Sequence, residues 1–156
     1  MITSFRKSLR PMARVLVVTY VLALASPAWA NPEGASVVAG QVSINQSASL
    51  THVQQATDKA IINWQSFSNA AGETVRFSQP AATSATLNRV TGANQSVING
   101  ALEANGRVFL INPNGVLFGR GSTVNVGGLV ASSLDIANES FLNGKHEFSK
   151  VVGKPA

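Results

Sequence analysis

The sequence predicts an all-β fold in which short strands wind into a stacked coil, and three observations carry that expectation. All thirteen Gly and thirteen Asn lie after residue 30, where they punctuate brief runs of Val, Ile, Leu and Phe instead of gathering in a linker. From Ser96 onward the apolar runs start near Val97, Leu102, Val108, Val116, Val124 and Leu129, five to eight residues apart. Few windows offer three helical turns free of Gly, Pro or clustered β-branched residues, and shorter helices are marginal without tertiary support.

Taken in chain order, residues 1–30 read as a secretory signal peptide. Arg6, Lys7, Arg10 and Arg14 precede the uncharged run VLVVTYVLALA at 15–25, and Ala28-Trp29-Ala30 supplies small residues at the two positions a signal peptidase reads. Cleavage is expected before Asn31, with signal peptidase and the inner-membrane translocon as the partners that read this segment. The run is well short of the about 20 residues that span a bilayer as a helix. Without residues 1–30 the chain keeps eight basic and seven acidic residues, a net charge of +1 in place of +5. The remaining cations are spread singly among acids, which excludes a nucleic-acid surface. With no Cys the exported chain relies on packing and hydrogen bonds. Residues 31–156 suit one domain with one core.

Within that domain VSI at 42–44, AIINW at 60–64, TVRF at 74–77, RVFLI at 107–111, VLF at 116–118 and TVNV at 123–126 read as strands. Three successive steps between apolar runs would make a coil of about nineteen residues, with Asn and Gly at the corners where the backbone needs tight turns. A sandwich of Gly-rich hairpins is the competing arrangement. A short helix is expected within 133–142, where Asp135 and Glu139 would share a solvated helical face. Both ends of a coil stack expose strand edges and must be covered. Residues 34–69, with their alternating stretch VSINQSASLTHV, can supply an amino-terminal cap. The far end has no polar terminal coil, so the chain is expected to be the start of a longer solenoid.

Several blocks carry a family resemblance: AIINWQSFS at 60–68, ETVRFSQP at 73–80, TLNRVTG at 86–92, and SVINGALEANGRVFLINPNGVLFGRGSTVNVGGLVASSLDI at 96–136. Together, over about residues 34–148, they resemble the amino-terminal haemagglutination-activity, or two-partner secretion, domain of filamentous haemagglutinin-like exoproteins. The resemblance implies a right-handed parallel β-helix with an amino-terminal β cap. It also implies recognition by a dedicated outer-membrane β-barrel transporter, with its periplasmic domains, of a Gram-negative bacterium. INPNG at 111–115 is similar to one of the family's two Asn-Pro-Asn motifs; the other, Asn-Pro-Asn-Leu, does not occur. Asn63, Trp64, Asn88 and Arg89 fall in the blocks that the resemblance marks as structural.

Asn112-Pro113-Asn114-Gly115 is expected to be a compact reversal, because Pro113 fixes φ and Asn114-Gly115 tolerates positive φ. The resemblance makes it a determinant of folding and secretion. Trp64 is expected to pack against a coil or the cap. No enzyme constellation emerges from Glu33, Asp58, Glu73, Glu103, Asp135, Glu139 and Glu147, since Glu103 and Asp135 would need stacking to meet. His52 and His146 lack metal-binding spacing, and nucleophile-elbow and phosphate-loop motifs are missing, so neither catalytic residue, metal nor cofactor is expected. The three Asn-x-Ser sites, at Asn45, Asn94 and Asn138, are of the kind that abundant Asn and Ser produce by chance. The function expected is secretion targeting of an adhesin-like exoprotein, located outside the cell or at its surface after passing through the periplasm and outer membrane. The alternative is a directly adhesive module with a host-cell or glycan receptor.

Overall fold

The computed structural model describes residues 30–151. Residues 1–29, Ala28 among them, lie outside the described residues, whereas Ala30 and Asn31 lie within them. The elements are β1 (Ser36–Ala39), β2 (Val42–Gln46), β3 (Leu50–Gln55), β4 (Lys59–Trp64), β5 (Thr74–Ser78), β6 (Ala85–Val90), β7 (Ser96–Ile98), β8 (Ala101–Ile111), β9 (Val116–Phe118), β10 (Thr123–Ser132), β11 (Asp135–Ile136), α1 (Asn138–Leu142) and β12 (Phe148–Ser149).

Parallel pairing of residues far apart in sequence makes the fold a β-helix with three faces. On the first face, Leu50, Thr74, Ala101 and Thr123 stack in register across β3, β5, β8 and β10. On the second, Lys59, Ala85, Arg107 and Gly128 stack across β4, β6 and the far halves of β8 and β10. The third face is Asn69, β7 and β9, with Ser96 beside Val116. These register steps make coils of 20 to 29 residues, longer than the nineteen expected. The shorter figure came from the region after Ser96, where corners are tightest; the earlier coils also carry the loops 65–73, 79–84 and 91–95.

Why β8 and β10 are long follows from the corner between the first two faces. Gly106 lets β8 run through it unbroken, since a Cβ there would stand 2.6 Å from Ser84 O. Gly127 repeats the device one coil later, against Gly106 O at 2.8 Å.

The first face alternates, with Val53, Val75, Phe77 and Leu102 buried and His52, Arg76 and Gln54 turned outward. The second does not alternate: AIINW and RVFLI are apolar on both sides because both sides are buried. Inward, Ile62, Trp64, Val90, Val108 and Leu110 join the first-face residues in the coil core. Outward, Ile61, Leu87, Phe109 and Ile111 form a second cluster with Ile136 and Phe141. The chain therefore leaves the coil after β10 and folds β11, α1 and β12 over the outside of the second face. Phe141 meets Phe109 edge-on at 5.2 Å between ring centres. Each such buried side chain contributes roughly 1.5–3 kcal/mol, which holds a five-residue helix that would not form alone.

At the amino-terminal end, residues 33–46 run backward over the first coil. Glu33 bridges Ser66, β1 is antiparallel to β4, and β2 is antiparallel to β3. These residues form the amino-terminal cap, with β2 on the first face and β1 on the second, while the rest of the segment 34–69 in which the cap was expected supplies β3 and β4 of the first coil itself. At the opposite end of the described residues β10 pairs with β8, and Val124 and Leu117 are 41% and 49% exposed.

Candidate functional site

The four residues marked on the second face lie on two adjacent strands. Pairing sets Asn63 beside Arg89 and Trp64 beside Val90. Alternation turns Trp64 and Asn88 into the coil and Asn63 and Arg89 outward. Trp64 is fully buried, its ring edge-on to Phe67 at 5.5 Å, and its Nε1 donates to Asn88 Oδ1 at 3.0 Å. The Asn88 amide donates onward to Phe109 O at 3.3 Å. A single buried amide thus ties the first, second and third coils together, and burial without such partners would be costly.

Outside, Arg89 clasps the cover. Its Nε donates to Asp135 Oδ1 at 2.8 Å, Nη2 to Ile136 O at 2.7 Å, and Nη1 to Asn138 Oδ1 at 2.9 Å and Asn63 Oδ1 at 3.4 Å. The planar fork of guanidinium suits this divergent set of acceptors. The expected solvated helical face for Asp135 and Glu139 is corrected here. Asp135 sits in β11, ahead of the helix, because its pairing with Arg89 and the burial of Ile136 draw that segment onto the sheet.

The Asn-Pro-Asn-Gly corner joins the second face to the third. Asn112 is fully buried and donates through Nδ2 to Asn94 O at 3.0 Å and Ser96 Oγ at 2.9 Å. Its Oδ1 accepts from Asn114 N at 2.9 Å and Asn114 Nδ2 at 3.0 Å, and Asn114 Nδ2 also reaches Gly92 O at 2.9 Å. The reversal closes with Gly115 N donating to Asn112 O at 2.9 Å. Positive φ is confined to Gly115, at +99°, so Asn114 does not take the positive φ its sequence allowed. Its side chain is committed to the backbone of the coil before, and Pro at the second and Gly at the fourth position fit a type I turn. Gly115→Ala is expected to cost about 1–2 kcal/mol from the left-handed backbone, measured as a lower urea midpoint; an unchanged midpoint would refute the strain.

Pro113 and Arg89, from separate sequence blocks, meet at one shallow depression of about 250 Å³ with Val90, Thr91 and Asp135. A second depression of about 520 Å³ follows the solvated first face, lined by Arg76, Ser78, Gln79, Glu103, Asn105 and Asn125. There Arg76 pairs with Glu103 at 2.8 Å. Glu103 and Asp135 are thus held by different arginines on different faces. Among the described residues no three His, Asp or Glu gather closely enough to hold a metal ion. His52 Nε2 is 2.8 Å from Ser78 Oγ, and the His146 ring lies 5.0 Å from that of Phe109.

Sequence reasoning missed the amides that register one coil on the next. Gln79 N donates to Asn105 Oδ1 at 2.8 Å, and Asn105 Nδ2 returns a bond to Gln79 O at 2.7 Å. Gly106 N donates to Gln79 Oε1 at 2.9 Å, while Gln79 Nε2 donates to Arg107 O at 3.1 Å. Gln55 plays a similar part through Ala85 O and Thr86. The available signal was an amide recurring at Gln55, Gln79 and Asn105, one per coil, at the same corner.

Comparison with known proteins places this architecture. The family model described as the TPS secretion domain matches residues 28–154. A heme/hemopexin-binding protein of Haemophilus influenzae strain Rd is 39% identical over 146 residues, covering 94% of this chain and 16% of that protein. Another heme/hemopexin-binding protein of Haemophilus influenzae is 38% identical over 120 residues, covering 76% and 13%. The crystal structure of the HMW1 secretion domain from Haemophilus influenzae superposes with a TM-score of 0.76 at 38% identity, covering 80% of this chain and 33% of that one. The chain spans about a sixth or less of the length of these curated relatives. On a capped parallel β-helix that carries the Asn-Pro-Asn corner, these matches show that the chain belongs to the TPS secretion domain family of two-partner secretion exoproteins.

Proposed function

We propose that residues 31–156 are the part of an exported, adhesin-like exoprotein that an outer-membrane β-barrel transporter and its periplasmic domains recognise. In this reading signal peptidase removes residues 1–30 after passage through the inner-membrane translocon, and the protein ends outside the cell or on its surface. The observation that carries the proposal is the capped parallel β-helix with its Asn112–Gly115 corner, which the TPS secretion domain model matches over residues 28–154 and which superposes on the HMW1 secretion domain at 38% identity. On such a scaffold strand pairing gives affinity through backbone bonds while side chains set register. The role is one of binding and folding, not catalysis. Coil-by-coil burial outside the cell then opposes backward movement.

The test expresses the gene with and without a cognate transporter and measures periplasmic and extracellular protein. Extracellular protein is expected only with the transporter, and deletion of residues 31–151 from a reporter fusion is expected to abolish it. Transporter-independent appearance outside the cell would overturn the proposal. The polar depression beside Arg76 and Glu103 favours one second reading, a directly adhesive surface. That reading requires purified protein to bind cells or glycans with no transporter present.

A further inference from the structure

Glu73 is a buried carboxylate, 3% exposed, at the corner leading into β5. Its Oε2 accepts from Ala70 N at 2.7 Å, and its Oε1 accepts from Ala30 N at 3.2 Å. The chain just after Ala30 is docked firmly. Asn31 Nδ2 donates to Ser47 O at 3.0 Å and Ala48 O at 3.3 Å, and Gln46 Nε2 donates to Pro32 O. Asn31 Oδ1 is buried with no hydrogen-bond donor. Two oxygens near the start of the domain are therefore poorly served: one with no donor, the other a buried carboxylate oxygen bonded to a single neutral amide.

We propose that removal of the leader before Asn31 turns the Glu73 contact into an ion pair with the new α-ammonium group of Asn31, fastening the mature amino terminus to the first coil. The inference rests on the processing reading above. In the cleavage step, signal peptidase adds water across the Ala30–Asn31 peptide bond. The leader leaves with the Ala30 carboxylate, and the freed Asn31 amine takes up a proton at neutral pH, since such amines ordinarily titrate near 7.7–8.0.

The cut removes Ala30 and with it the N–H that serves Glu73 Oε1. A buried carboxylate oxygen left without a donor is costly. The next backbone nitrogen belongs to Asn31, no more than about 3.6 Å of chain away, and the bonds from its side chain to Ser47 and Ala48 keep it from drifting off. As an amide that nitrogen has one proton and no charge. As an ammonium it has three donors and a charge, so one group can serve both Glu73 Oε1 and Asn31 Oδ1. Charge-assisted bonds of this kind are about twice as strong as neutral ones. Processing thereby completes the first coil, and the precursor lacks this fastening.

The experiment begins with protein recovered from the periplasm or medium after export, whose amino terminus is sequenced. Its α-amine is then acetylated selectively at about pH 6.5, where lysines stay protonated. Acetylation is expected to lower Tm by about 3–6 °C in the wild-type chain and to leave Tm unchanged after Glu73→Gln. If Glu73→Gln does not fold, Glu73→Asp replaces it, and a smaller drop than wild type is expected because the carboxylate is set back by one methylene. A mature terminus other than Asn31 overturns the processing reading and the proposal with it. An Asn31 terminus whose acetylation leaves the wild-type Tm unchanged, or shifts the wild type and the variant equally, overturns the pairing alone.

Discussion

Trp64→Ala is expected to lower stability by about 3–5 kcal/mol from lost packing and the cavity left behind. A further ~1–3 kcal/mol comes from leaving the buried Asn88 Oδ1 without its donor. Trp64 is fully buried in the coil core, meets Phe67 edge-on and bonds across to the second coil. Domains of this size are stable by only about 5–15 kcal/mol, so the variant sits near the limit of folding. Urea unfolding at constant m reports the change. Trp64→Phe keeps most of the apolar volume and loses the bond, so a clearly smaller loss is expected. Equal losses in the two variants would show that the bond, not the packing, holds this corner.

The second large effect is expected from Arg89→Met. The Arg89 side chain is 15% exposed and that of its partner Asp135 30%, so the substitution strands a half-buried carboxylate and the Ile136 carbonyl. The expected loss is about 2–4 kcal/mol, below that of a fully buried pair. Its location is the diagnostic feature. Amide exchange should accelerate across residues 133–150 while β4, β6 and β8 keep their protection, because the coils retain their own core. Arg89→Lys should rescue little, since one ammonium cannot serve Asp135, Ile136 and Asn138 at once. Uniform acceleration through the coils would show that Arg89 supports the whole β-helix and not the cover.

How far the site was legible depends on which physical signal each residue carries. Trp64 could be placed in the interior because an aromatic ring in an apolar run has a strong preference for burial. The Asn112–Gly115 turn could be placed because Pro and Gly restrict the backbone locally. Glu73 carried no such mark: its environment is made by Ala70 and Ala30, the latter 43 residues away. Asp135 misled, since four-residue spacing from Glu139 resembles a helix face until Arg89, 46 residues earlier, is seen to claim it.

The same division holds for the fold. The sequence by itself determined the all-β class, the main strands and their Asn- and Gly-marked corners, because apolar runs five to eight residues apart leave no room for long helices; the choice of a wound coil over a hairpin sandwich rested on the family resemblance. The runs AIINW and RVFLI were legible only as strands; that a cover buries their outer side came from the structure. Only the tertiary structure decided the longer coils, the backward-running cap and the cover built from β11, α1 and β12. Each of these depends on pairing between residues distant in sequence, and local propensity does not encode such register; contacts such as Arg89 with Asp135 and Gln79 with Asn105 do.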